Sequence, residues 1–194
     1  MLAWDEVSAN ALDALRKMGP RITGQLVDAL LDPEQEFAIR RRIPRVLAEF
    51  NLQRAVDGLI AALADARFEV RFHSGRALTE LQERNPNLVM DREAIIRTVE
   101  REFEVSPEVW RHHRILDTIQ DEPEGTLAVE HVFRLLALVY ARDPLRIAYS
   151  ALRSGDDYLR RTALEYLEQI LPPALWQCIL PLVEEPATAF QVAV

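Results

Sequence analysis

Four arginines, Arg40, Arg41, Arg42 and Arg45, crowd into one short stretch of a chain whose net charge is −8. Further pairs follow in comparable helices: Arg71 and Arg76, Arg111 and Arg114, Arg160 and Arg161. A guanidinium presents a planar fork of donors that grips a carboxylate or phosphate with two hydrogen bonds. If the helices that carry them line one face, Arg41, Arg42, Arg45, Arg71, Arg76, Arg111, Arg114 and Arg160 form a discontinuous basic track. Its ligand would be an acidic peptide, a phosphate-bearing molecule or nucleic acid. Arginine supplies 22 of the 23 basic residues, with Lys17 alone. That bias reflects either selection for anion pairing or codon usage in a GC-rich genome.

Other chemistry finds less footing. His112 and His113 are the first metal candidates, with Glu108 four residues before one and Asp117 four after the other. Adjacent helical residues diverge by about 100°, and zinc wants three or four convergent ligands. A solvated face is the reading of this stretch. Glu130-His131 occurs once, whereas a carboxylate-histidine metal centre draws ligands from several helices. The six glycines are scattered, so no phosphate-cradling loop exists, and no nucleophile elbow is present. Cys178 sits beside Ile179 and reads as a packed small hydrophobe. These patterns imply no catalytic residue, metal or cofactor. Trp4, Trp110 and Trp176 are candidate partner contacts, since tryptophan is enriched at interface hot spots.

The elements that must position these residues repeat. Ala62-Leu63-Ala64-Asp65 closes one helix, and Val70-Arg71 opens the next, which continues through Leu78 and Leu81. The copy is Ala151-Leu152-Arg153-Ser154, then Leu159-Arg160, Leu167 and Ile170. An earlier, looser copy runs from Ala29-Leu30-Leu31-Asp32 to Ile39-Arg40, Leu47 and Phe50. A repeated helix pair signals an α-solenoid, in which each unit buries its apolar face by stacking on its neighbours. The apolar spacing predicts about eleven helices and no strand, over roughly 4–18, 20–31, 35–50, 52–64, 67–84, 91–104, 107–120, 125–141, 143–153, 157–171 and 173–185. Pro44 predicts a kink rather than a break in the third. The helix 125–141 is the most apolar and the expected deepest element. The length of 194 residues and the 49% hydrophobic content suit one domain across the chain.

The Asp65…Val70-Arg71 signature and its copy at Leu159-Arg160 resemble HEAT repeats, helix pairs stacked into a curved superhelix with the second helices on the concave side. The segments Phe37–Leu47, Glu130–Leu136 and Ala163–Glu168 resemble, more narrowly, a bacterial HEAT module that follows a major-facilitator or nucleotide-carrier-like membrane region. The resemblance implies that Arg71 pairs with Asp65 or Asp32, and Arg160 with Asp157 or a neighbour. It implies a non-catalytic scaffold that binds a protein, a peptide or another domain of a longer chain.

Two rivals remain. One is a HEAT-fold nucleic-acid-binding protein, similar to the alkylpurine DNA glycosylases, using the arginine track; the acidic balance opposes it. The other is a regulatory module for a small anion. One cysteine fits a reducing compartment, and no leader or membrane-spanning run is read, so the expected place is the cytoplasm, including the cytoplasmic side of a membrane through a linked region. The apolar ending Phe190-Gln191-Val192-Ala193-Val194 suggests a piece of a longer chain or a docking tail.

Overall fold

A computed structural model describes residues 5–104 and 126–184. Among these residues the fold is all-α, with no strand. The chain divides into two compact units, Met1–Ile95 and Ile96–Val194.

In the first unit α1 is Asp5–Met18. Gly19 follows at φ +74°, a left-handed conformation open to glycine at little cost. A single 3₁₀ turn, Pro20–Ile22, then leads into α2, Thr23–Leu31. Next come the short helices α3, Phe37–Arg40, and α4, Ile43–Leu47. These replace the single kinked helix expected over 35–50. Pro44 has no N–H to offer the Arg40 carbonyl and crowds it. The helical ladder therefore stops at Arg41-Arg42, although both stay right-handed, at φ −63° and −96°. α5, Gln53–Ala62, and α6, Phe68–Arg84, complete the unit, with the start of α7, Arg92–Glu104. α2 packs on α5 and α4 packs on α6, while α5 also packs on α6. Like helices of successive pairs thus lie side by side. Leu30, Ile43, Leu47, Leu59, Leu63, Leu78 and Leu81 are sealed between them.

The second unit contains α8, Thr126–Leu136; α9, Arg142–Arg153; α10, Asp157–Ile170; and α11, Pro173–Glu184. α9 packs on α8 and on α10. α8 ends five residues before the expected 141, and a turn over 137–140 replaces its last stretch. Val132, Leu135, Leu136, Leu145 and Leu167 are buried.

The same side-chain bond closes three of the interhelical turns. Asp32 Oδ1 accepts from the Glu34 N–H at 2.9 Å. Asp65 Oδ1 accepts from the Arg67 N–H at 2.8 Å. Ser154 Oγ accepts from the Asp156 N–H at 3.2 Å. Aspartate and serine favour such i to i+2 bonds, which bend the chain as a backbone turn would.

Several expected inward residues lie outside the core. Met18 and Leu159 are exposed, as is Cys178, because their helix faces lack a covering neighbour among the described residues.

Candidate functional site

The arginines after the turns reach backbone carbonyls. Arg40 Nε donates to the Leu30 carbonyl at 2.9 Å, in the last turn of α2. Arg160 Nη1 donates to the Leu152 carbonyl at 3.2 Å, in the last turn of α9, and Nη2 donates to the Val183 carbonyl. Leu30 and Leu152 hold the same place in the repeat. Arg71 Nη1 donates to the Asp65 and Ala66 carbonyls at 2.9 and 3.1 Å, in the turn after α5. The last carbonyls of a helix lack partners within it and carry its negative pole, so a cation there serves both needs.

This geometry corrects the pairing that the resemblance implied. The Asp65 carboxylate takes Arg40, from the preceding copy, and not Arg71. Arg160 takes carbonyls and not Asp157. The acid-base bridge therefore joins two copies of the repeat, while each arginine after a turn braces the helix end behind it.

Arg41, Arg42 and Arg71 are also corrected as members of an exposed track, since only 5%, 2% and 7% of each is accessible. Arg41 Nη1 pairs with Glu69 Oε1 at 3.2 Å, with both side chains buried. The Arg41 and Arg67 guanidiniums lie 5.8 and 5.3 Å from the Phe37 ring centre. Four arginines in sequence read as a surface run; here Pro44 interrupts the helix and Glu69, on α6, supplies the buried counter-charge. A buried pair of this kind holds register more surely than it adds stability.

Arg45 and Arg76 are the two track residues that the structure brings to one site. They line a cavity of about 350 Å³ in the first unit. α1 contributes Arg16. α4 and the turn after it contribute Arg45, Ala48 and Glu49, and α6 contributes His73, Arg76, Ala77 and Glu80. Ala48 and Ala77 leave the room. Around the rim runs a chain of ion pairs: Arg16 to Glu49 at 3.8 Å, Glu49 to Arg84 at 3.7 Å, Arg84 to Glu80 at 3.6 Å, and Glu80 to Arg76 at 3.4 Å. His73 is part of the wall, 3% accessible, and its Nε2 has no hydrogen-bond partner. The nearest carboxylate oxygen, Glu69 Oε1, stands 3.7 Å away. The sequence reading passed over His73; its position four residues after Glu69 on one helix was the available signal.

In the second unit His131 is fully buried, with Nε2 3.7 Å from Glu102 Oε1. Its sequence neighbour Glu130 bonds Arg134 instead, so the Glu130-His131 pair does not act together. Ile147 and Leu159 line a shallow hollow of about 420 Å³ between α9 and α10, with Arg146, Ser150, Ala151 and Ser154. Trp176 is half-buried on α11. Arg111, Arg114, His112, His113, Glu108, Asp117, Trp4 and Trp110 lie outside the described residues. Among the described residues no three His, Cys, Asp or Glu side chains are grouped to hold a metal ion. No helix among them is long and apolar enough to cross a membrane. No known protein-family model matches this chain, and no curated protein matches it at a significant level.

Proposed function

We propose that this chain is a non-catalytic helical-repeat scaffold of the HEAT type, which holds a protein or peptide partner on its outer surface and works in the cytoplasm. The repeated turn, with an arginine bracing the helix behind it at Arg40, Arg71 and Arg160, supports the repeat architecture. The single observation that carries the functional reading is where side-chain chemistry faces. Arg41, Arg42 and Arg71 turn inward, whereas Ile147, Tyr158 and Leu159 on α9 and α10 are 64%, 77% and 44% accessible. A large apolar group left in water at the rim of a hollow is a common mark of an interaction site. Burial of the arginines also weakens the nucleic-acid reading, which needs them on the surface.

A photo-crosslinking side chain placed at Ile147 tests the proposal in cells, with the same group at the exposed Asp57 as control. One defined protein adduct at position 147, absent at 57 and reduced by Tyr158→Glu, is the expected result. Equal labelling at both positions overturns the reading. Recovery of DNA at position 147 would transfer it to the nucleic-acid rival.

A further inference from the structure

We propose that the segment 185–194 of this chain docks in the hollow between α9 and α10 and has to be displaced by a partner that binds there. The inference rests on that face being the docking surface, and it names the segment that guards it. The point where α11 ends carries the first argument. Arg160 Nη1 holds the Leu152 carbonyl in the last turn of α9, and its Nη2 holds the Val183 carbonyl in the last turn of α11. The end of α11 is therefore tied to the immediate neighbour of Leu159, which lines the hollow. Pro186, two residues past Glu184, disfavours a helical conformation at the residue before it.

Length is the second argument. The hollow follows α9 from Ser154 back to Ile147, about 10 Å at the helical rise per residue. Extended chain from Phe190 to Val194 covers about 13 Å, which matches it, and the residues from 183 to 190 supply about 23 Å of reach from the Arg160 tie.

The chemistry agrees on both sides. In a chain that is 28% charged, residues 186–194 contain no charged side chain. Phe190, Val192 and Val194 alternate, so an extended backbone places all three on one face. The hollow offers Ile147, Ala151 and Leu159 as its apolar lining, with Ile147 and Leu159 otherwise left in water. Ser150 and Arg146 stand beside them with donors for the carbonyls of an extended segment. A tethered segment acts at a millimolar effective concentration, so even weak docking sets a threshold that an outside partner has to exceed.

The test compares the methyl NMR signals of the full chain with those of its Phe190→Asp variant, which lies past the end of α11. The Ile147 and Leu159 signals should shift in the variant, and those of the exposed Val89, in the first unit, should not. A synthetic peptide of residues 185–194, added to the variant, should return the Ile147 and Leu159 signals saturably. The same peptide with aspartate at position 190 should bind about ten- to a hundredfold more weakly, the loss of one buried aromatic anchor. Unmoved Ile147 and Leu159 signals in Phe190→Asp, or equal binding of the two peptides, overturns the proposal. Signals that change with chain concentration would assign the hollow to the segment of a second copy and overturn docking within one chain. A defined crosslinked partner at Ile147 together with unmoved signals would leave the scaffold reading standing while this inference falls. Shifted signals without any crosslinked partner would do the reverse.

Discussion

α6 and α10 are copies of one sequence pattern, yet they live in different surroundings. α6 buries eleven residues, among them Glu69, Arg71, His73 and Ser74, whereas α10 buries Ala163 and Leu167. Both begin after a turn closed by the same i to i+2 bond. Both carry an arginine that reaches back to a carbonyl at or near the preceding helix end. The local pattern therefore sets the turn and the brace, and the neighbours set what the helix hides. α6 is flanked by α4 and α5, so even its charged residues are enclosed and must be paired. On α10 Tyr158 and Leu159 stay in water.

The largest expected effect separates Asp65 from its counterpart Ser154. Asp65→Ala removes the carboxylate from Arg40, whose side chain and partner are each about nine-tenths buried. Stranding one member of such a pair costs about 3–5 kcal/mol. Glu69→Ala, which takes a buried carboxylate from Arg41, belongs in the same range. Ser154→Ala loses two exposed local bonds, one accepted from the Asp156 N–H and one donated to the Ala151 carbonyl, together on the order of 0.5–1 kcal/mol. Urea denaturation followed by circular dichroism measures all three. Similar losses for Asp65→Ala and Ser154→Ala would erase the distinction between the two copies.

The next effect concerns apolar packing. Leu78 and Leu167 are counterparts, and both are fully buried. Replacement of either by alanine costs about 2–5 kcal/mol, according to how far the site collapses around the cavity. α6 has neighbours on more sides and less freedom to close in. Leu78→Ala should therefore exceed Leu167→Ala by about 1 kcal/mol in thermal unfolding. A larger loss at Leu167 would show that the exposed copy is the more rigid of the two.

What could be read from the chain follows the same division. Aspartate or serine at the helix end, and arginine a few residues on, are local features, so the three turns and their arginines were legible. The partners were not, since a backbone carbonyl such as that of Leu30 or Leu152 has no letter of its own. Burial of Arg41 was equally hidden, because its partner Glu69 is far along the chain. Pro44 announced an irregularity; its placement at Arg41-Arg42 follows from the clash with a carbonyl four residues back. Leu159 fits the apolar stripe of α10, and only the absence of a covering neighbour leaves it exposed.

Two helical glycines test how closely the first unit is packed. A Cβ built on Gly58 would stand 2.4 Å from Val27 Cγ2 and 2.7 Å from Cγ1, where α5 crosses α2. A β-branched valine inside a packed interface cannot yield easily, so Gly58→Ala should cost about 1–3 kcal/mol. At Gly24 the nearest atom is Arg54 Nη2, at 2.5 Å, the far end of a long and exposed side chain. Arg54 can swing aside, and alanine is the better helix former by about 1 kcal/mol. Gly24→Ala should therefore be neutral or stabilising by up to that amount in the same melts. Equal destabilisation at both would mean that the Arg54 contact is as fixed as the α2–α5 seam.

The smallest effect isolates a feature that α10 has and α6 lacks. Asp156 caps α10, with its Oδ1 accepting from the Tyr158 and Leu159 N–H groups at 2.8 and 3.1 Å. Arg67 stands at the corresponding place before α6 and makes no such cap. A helix covered on several sides is held by its packing. A helix with an open face depends more on its terminal bonds, which also satisfy donors that its own carbonyls cannot reach. Asp156→Ala should cost about 1 kcal/mol, and Asp156→Asn much less, because asparagine retains the acceptor. Global unfolding registers so small a change poorly, but amide hydrogen exchange reads it where it acts. Exchange at Tyr158 and Leu159 should quicken in Asp156→Ala while Val70 and Arg71, the third and fourth residues of the uncapped and covered copy, keep their rates. Unaltered exchange at Tyr158 and Leu159 would mean that packing against α9 alone holds the start of α10, and that its open face costs it nothing.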